Sequence, residues 1–256
     1  MPLSIDLQSR SILVTGASSG LGAHFARQMA AAGASVALCA RRKDRLTSLK
    51  EEIEEAGGRA IAIEMDVTSE TSIVAAFDAA ENAFGKVDGL IANAGMNAEG
   101  LALDIEAEEF ASVLAVNLTG VFLTVREGAR RMIAGGTPKN EYGRIVIISS
   151  ITAAKVEPGI AAYSASKAGV LQLGKVLARE WARKGVNVNI VCPGYIQTKL
   201  NGEWFETEGG QKQINKWPRR RLMADDDLTH IVGHLLSDAS RAITGSVFTV
   251  DDGQSL

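Results

Sequence analysis

Two cysteines in 256 residues cannot build a disulfide framework. Cys39 and Cys192 each close a strongly apolar run, where a thiol serves as a small core side chain, and neither has a nearby His or carboxylate arranged as a nucleophile's base. Basic excess is missing as well. The 27 Lys and Arg stand against 30 Asp and Glu, a net charge of -3, which leaves no footprint for nucleic acid or an anionic membrane and makes a small molecule the expected partner. No uninterrupted apolar stretch reaches the roughly 20 residues of a membrane span, and the start MPLSIDLQSRSILVTG lacks a basic segment followed by a long apolar run. A cytoplasmic protein is therefore expected. Histidine is scarce too: His230 and His234 share a helical spacing, but no third ligand stands out nearby and no metal is expected.

What the chain does have is a core. Apolar residues make up 46% and charged residues 22%, ordinary for a globular domain, and α/β domains of this length often stay undivided, so residues 1–256 read as one domain. Short β-rich runs, beginning SILVTG, ASVALCA, RAIAIEMDV and VDGLIANAG, alternate with helical patterns such as KDRLTSLKEEIEEAG that finish at a Gly. The second half adds a helix around 107 to 134, the strand GRIVIIS, the helix AYSASKAGVLQLGKVLAREWARKG, and the strands VNVNIVCPG and GSVFTVDDG. Near-continuous apolar strands mean that both sheet faces are covered, which predicts an α/β doubly wound parallel sheet of Rossmann type. Two interruptions remain. AGGTPKNEYG, 134 to 143, reads as an exposed connection, and the stretch from about 194 to 224 is long enough to be a substrate loop. Its Trp204, Phe205 and Trp217 either cover an apolar ligand or pack onto the domain surface.

Two short motifs carry chemistry. VTGASSGLG follows the first strand and opens the first helix, so Gly16, Ser18, Ser19, Gly20, Leu21 and Gly22 form a turn in which backbone N–H groups and the helix N-terminus can receive a pyrophosphate. YSASK places Tyr163 and Lys167 at i and i+4, on one helix face. By itself that pair also describes a half-buried ring beside a solvated amine.

T-G-x-x-x-G-x-G, with three residues between the first two glycines, resembles the short-chain dehydrogenase/reductase family in its classical branch, and the likeness extends along nearly the whole chain. Asp66 and Val67 look like the family's adenine-contacting pair, Asn93, Ala94 and Gly95 its fourth-strand signature, and Asn117 in VNLTG its helix-borne asparagine. Ser150 lies 13 residues before Tyr163, and Pro193, Gly194, Ile196 and Thr198 resemble the nicotinamide-side loop. The resemblance implies a catalytic set of Asn117, Ser150, Tyr163 and Lys167. Tyr163 would move the proton, with its phenol acidified by the Lys167 cation; Ser150 would hold the substrate oxygen; Asn117 would position a water connecting Lys167 to solvent. Lys167 would also bond the nicotinamide ribose. Relatives commonly assemble as tetramers through long helices and C-terminal edges, so a tetramer or dimer is expected.

An NAD site usually places a carboxylate about 20 residues after the glycine turn, yet Ala40 stands there, followed by Arg41 and Arg42. Guanidinium groups, with Ser18 as a further donor, suit a 2′-phosphate, and NADP(H) is expected over NAD(H). Substrate contacts are expected from Ser150, Met96, Tyr195 and Trp204, with Asn97, Ile151 and Val156 also at the carboxyl edge of the sheet, in a mainly apolar pocket. A ketone or a 3-oxoacyl group would fit, the latter by similarity to bacterial 3-oxoacyl-carrier-protein reductases. RRR, 219 to 221, is an exposed charge run or a contact for an acidic carrier. The alternative function is a dinucleotide-binding sensor or interaction protein of the same fold.

Overall fold

Each of the seven apolar runs becomes a strand in the computed structural model, which describes residues 5–196 and 202–256. They are β1 (Ser11–Thr15), β2 (Ser35–Ala40), β3 (Arg59–Glu64), β4 (Gly89–Ala92), β5 (Gly143–Ile148), β6 (Val186–Pro193) and β7 (Val247–Val250). Their order is β3-β2-β1-β4-β5-β6-β7, and every neighbouring pair is parallel. Parallel pairing demands crossovers, and helices supply them. Before the sheet reverses direction come α1 (Gly20–Ala31), α2 (Lys43–Glu55) and α3 (Glu70–Phe84); after it come α4 (Ala107–Leu114), α5 (Val121–Ala134), the short α6 (Thr137–Asn140) and α7 (Ala161–Trp181). The last third adds α8 (Gly202–Glu206), α9 (Glu208–Ile214) and α10 (Thr229–Leu236).

Period-two alternation along the strands sorts the core into two layers. Ile12, Val14, Val36, Leu38, Val146 and Ile148 face α1, α2 and α10, whereas Leu13, Ala37, Cys39, Ile145 and Ile147 face α3, α5 and α7. In α2 only Leu46, Leu49 and Ile53 are buried, one stripe of an otherwise charged helix. Fully buried Phe25 and Phe77 anchor the two layers, each contributing about 2–3 kcal/mol by area removed from water. On α7 a glycine decides the distance of approach: a Cβ at Gly174 would stand 2.6 Å from Ile190 Cγ1 and 2.8 Å from its Cδ1. That contact seats the helix on β6, and the seating fixes where Tyr163 and Lys167 project.

The order in which strands are added reverses between β1 and β4. The crossovers leave these two neighbours toward opposite edges, which opens a crevice at their carboxyl ends, where sheets of this kind take ligands. The helix expected around 107 to 134 is continuous but not regular: a π-helical segment, Ala115–Gly120, joins α4 to α5. By length and mean hydropathy, 1.4, this run is the one described helix that could cross a bilayer, and 33% of that apolar window is buried. Its second half carries Glu127, which is buried and accepts from both Arg130 and Arg131 at 2.7 Å.

The two interruptions hold more structure than the sequence suggested. In AGGTPKNEYG, α6 is anchored by Thr137, which is buried and donates to Lys184 O at 2.7 Å. The long excursion contains α8 and α9 and is closed at its base by a bridge between Ile196 and Met223, with Met223 N donating to Tyr195 O at 3.0 Å. Helices of this length leave too few turns to print a period, so local sequence does not announce them.

Candidate active site

The glycine turn is tight where a chain must pass and open where a ligand must enter. A Cβ at Gly22 would meet Gly16 O at 2.3 Å and Asn93 Nδ2 at 2.6 Å, so no larger residue fits between turn and sheet. Gly16 and Gly20 adopt φ of +69° and +52°, a region that other residues enter at a cost, yet a Cβ at Gly20 would meet nothing within 4 Å. Ser19 caps α1 in extended conformation without a side-chain hydrogen bond, and no acidic residue occupies the first turn. Unpaired backbone donors and the positive end of the helix dipole therefore face open space, and the residues present fit a pyrophosphate.

Beside this turn Arg42 folds back over it. Its Nη2 donates to Ser18 Oγ at 2.8 Å and to Ser19 Oγ at 2.7 Å, and Nε reaches Ser18 Oγ at 3.2 Å. Arg41 acts elsewhere, on Asp66, whose carboxyl is held below its ordinary range by the N–H and hydroxyl of Thr68 and, to a smaller degree, by Arg41. Val67 lies against the π segment so closely that a Cβ at Gly120 would stand 2.9 Å from Val67 Cγ2.

One residue stitches the cradle to the catalytic side, and the motif reading overlooked it. Thr15 Oγ1, at the end of β1, accepts from both Asn93 N and Ala94 N at 3.0 Å, and Asn93 Nδ2 donates to Thr15 O at 3.1 Å. A hydroxyl on the last residue of the first strand was the signal for it. Asn117, 0% exposed in the π segment, continues the seam. Its Oδ1 accepts from Met96 N at 2.8 Å, while Nδ2 donates to Met96 O at 2.8 Å and to Ser166 Oγ at 3.0 Å. Both amide hydrogens are thus occupied, tying the turn after β4 to α7. Gly95 lies at the same junction: a Cβ there would be 3.5 Å from Asn117 Oδ1 and 3.7 Å from Lys167 Nζ.

Ser150, Tyr163 and Lys167 converge above the carboxyl end of β5. Lys167 is 4% exposed; its Nζ donates to Ile148 O at 2.9 Å and lies 5.4 Å from the Tyr163 ring centroid. Burial pushes its pKa down to about 8. Tyr163 is half-buried, and burial raises its phenol above the ordinary value, with a hydrogen bond from Ser150 pulling the other way. Acidification of this phenol by Lys167, expected from the sequence, is not what governs it here: desolvation outweighs the other influences and moves each group toward its neutral form. Behind the lysine lies Cys192, whose thiol is raised by burial and lowered by contacts with the Ser149 side chain and the Ser150 N–H.

On the substrate side the expected residues separate. Ile151 is buried, Met96 and Trp204 are partly exposed at 38% and 47%, Asn97 is exposed, and Val156 at 89% stands in solvent. Thr198 lies outside the described residues. Pro193 ends β6, and Gly194 N donates to Val250 O at 2.9 Å. Tyr195 stacks on Trp217 with centroids 5.3 Å apart and meets Phe205 edge-on at 5.7 Å; Trp217 and Phe205 are buried, so two of the three loop aromatics pack as structure. The pocket wall is also less apolar than expected. Burial, together with the Glu157 charge, pushes the pKa of the Tyr195 hydroxyl up to about 12, with Gln213 acting the other way. Gln254 clamps the Tyr195 backbone from the far end of the chain, accepting from Tyr195 N at 2.6 Å and donating to Tyr195 O at 3.2 Å. Sequence carried no signal for this contact, which spans 59 positions. Arg219 and Arg221 of the basic run both pair with Asp252, at 3.0 Å and 2.6 Å.

The chain is similar to known proteins along nearly its whole length. The short chain dehydrogenase family profile matches residues 10–209. A 3-oxoacyl-(acyl-carrier-protein) reductase of Aquifex aeolicus is 36% identical over 252 residues, covering 98% of this chain and 99% of the relative. The 3beta-hydroxysteroid dehydrogenase 1 of Eggerthella lenta is 36% identical over 253 residues, covering 98% and 95%. Among solved structures, a short-chain type dehydrogenase/reductase from Mycobacterium marinum superposes with a TM-score of 0.91 at 34% identity, covering 98% of this chain and 97% of that one. Glycine cradle, seven-stranded parallel sheet and full-length similarity together make the chain a member of the short-chain dehydrogenase/reductase family, an NAD(P)-dependent oxidoreductase acting on CH–OH and C=O groups.

Proposed function

We propose that the protein reduces a ketone or 3-oxoacyl group to a secondary alcohol with NADPH, or catalyses the reverse oxidation, with Tyr163 as general acid and base. The observation that carries this reading is the convergence of Ser150, Tyr163 and Lys167 beside the turn Asn93–Gly95, next to a cradle that fits a dinucleotide. A bound reduced nicotinamide supplies the hydride. Ser150 and Tyr163 donate hydrogen bonds to the carbonyl oxygen, and Tyr163 releases its proton as that oxygen gains charge. With a pKa near 8, Lys167 is protonated at neutral pH, so a cation stands beside the phenolate as it forms. One Lys167 N–H is spent on Ile148 O, and the others serve the ribose. Asn117 holds the turn against α7 through Met96 and Ser166, and so keeps Lys167 and the reacting oxygen in register.

Preference for NADPH follows from Arg42. Its guanidinium and two serine hydroxyls already converge, a donor cluster that suits a phosphate dianion and has no carboxylate to accept a ribose diol. Arg42→Ala is expected to lower kcat/KM for NADPH by about 10–100-fold, the worth of one or two charge-assisted hydrogen bonds, and to leave the NADH value within about two-fold. Equal losses with both cofactors would reject the assignment.

Relatives acting on 3-oxoacyl and 3beta-hydroxysteroid substrates support a ketone on an apolar framework, and Tyr195, with Glu157 and Gln213 near its hydroxyl, adds a polar end to the pocket. A panel of 3-oxoacyl thioesters, cyclic ketones and steroid ketones, followed by NADPH absorbance, tests the activity. NADPH binding without turnover across that panel would favour a sensor instead. Leu101, Leu103 and Phe110, exposed around the start of α4, support a homo-oligomer, because one chain leaves them in water. Sedimentation velocity is expected to give a dimer or tetramer; a monomer would refute it.

A further inference from the structure

Ser150 offers one proton and two acceptor lone pairs, and the direction of that proton matters to the reaction. Thr152 takes up the acceptor side. Its N–H donates to Ser150 Oγ at 3.1 Å and its hydroxyl donates to the same oxygen at 3.0 Å. With two donors on the oxygen, the Ser150 proton is left for an acceptor on the reaction side, the substrate oxygen of the proposed mechanism. The result is a directional pair, Thr152 donating to Ser150, buried at both members and close to Tyr163.

We infer that Thr152 is a positioning residue: by saturating Ser150 Oγ as an acceptor, it fixes the Ser150 hydroxyl as a donor toward the reacting oxygen. Without the threonine hydroxyl, the serine rotor can turn and accept the Tyr163 proton. That arrangement stabilises the neutral phenol, withdraws its proton from the substrate and removes the second donor from the carbonyl oxygen. Hydrogen bonds in a chain polarise one another, so the loss reaches Tyr163 although Thr152 acts only through Ser150. Local structure does not require the hydroxyl. Ser150 caps the short 3-10 turn Ile151–Ala153 through the Thr152 N–H, and any residue except proline supplies that N–H.

This inference rests on the roles proposed above for Ser150 and Tyr163, and two readouts separate them. The chain has three tyrosines, Tyr142, Tyr163 and Tyr195, so the Tyr163 phenolate can be titrated by ultraviolet absorbance as a difference from Tyr163→Phe. With saturating NADP⁺, Thr152→Val, which keeps shape and cap but loses the hydroxyl, is expected to raise that titration by about 0.5–1 pH unit. For the fastest compound of the ketone and thioester panel, kcat is expected to fall about 3–10-fold with KM within about two-fold. Thr152→Ser is expected to restore both. A Thr152→Val protein that titrates and turns over like wild type overturns the inference. So does a loss of activity that comes without a titration shift, or that serine fails to restore, since either marks a packing role. Undiminished turnover by Tyr163→Phe would instead overturn the underlying function, whatever Thr152 does.

Discussion

Tyr163→Phe lowers kcat by about 10²–10⁴-fold, the range of a lost general acid or base, with cofactor affinity nearly unchanged. The substitution is narrow. The ring and its helix position remain, the backbone oxygen still accepts from Ser166 Oγ at 2.6 Å, and Lys167 keeps its bond to Ile148 O. Only the hydroxyl goes, and with it the proton source that the proposed mechanism places at the carboxyl end of β5. Single-turnover measurement with a panel compound separates the chemical step from binding. Wild-type turnover would remove Tyr163 from the mechanism.

A second substitution is expected to move activity and stability in opposite directions. Lys167→Met lowers kcat by about 10²–10³-fold, because the developing phenolate loses its buried cation. Stability at neutral pH rises instead. A lysine with a pKa near 8 in the fold and about 10.4 unfolded carries a burial penalty of about 3 kcal/mol when charged. Methionine removes that penalty but leaves Ile148 O without its donor, at a cost of about 1–2 kcal/mol. The net gain of about 1–2 kcal/mol raises Tm by roughly 2–6 °C. The sign changes with pH. Between pH 8 and about 10.4 the folded wild type has released the proton that the unfolded chain still binds, so wild-type stability rises with pH while the variant's does not follow. By about pH 10 the wild type should be the more stable of the two. Thermal unfolding at pH 7 and pH 10 reads this crossover; a variant less stable than wild type at pH 7 would refute it.

Much of the architecture was legible from strand periodicity. Apolar strands such as GRIVIIS and VNVNIVCPG could satisfy both faces only with helices on each side, and they are found as the neighbouring interior strands β5 and β6 of the parallel sheet. The cradle was legible because glycine's roles there are local: positive φ at Gly16 and close passage at Gly22 act within a few residues of each other or against the neighbouring strand. Arg42 was legible in kind, as a cation where an acid usually stands, but its grip on both serines depended on how α2 leaves the sheet. Thr15, Thr152, Glu157, Gln213 and Gln254 were missed. Thr15, Glu157, Gln213 and Gln254 act through partners that no spacing rule connects to them, and α9, which brings Gln213 to Tyr195, is too short to show a period. Thr152 acts through a neighbour two residues away whose proton direction no sequence prints.

Chemical identity was settled along the chain: which residue bears a phenol, which an amine, which can turn a backbone tightly enough for a phosphate. Protonation was not. Whether the Tyr163 hydroxyl and the Lys167 amine sit above or below their solution pKa depends on how much water the whole fold removes from them, and α7, β5, β6 and the turn after β4 all contribute to that removal. Covalent structure determines what a group can donate. Only packing, by setting the local dielectric and the hydrogen-bond partners, decides the pH at which it does so.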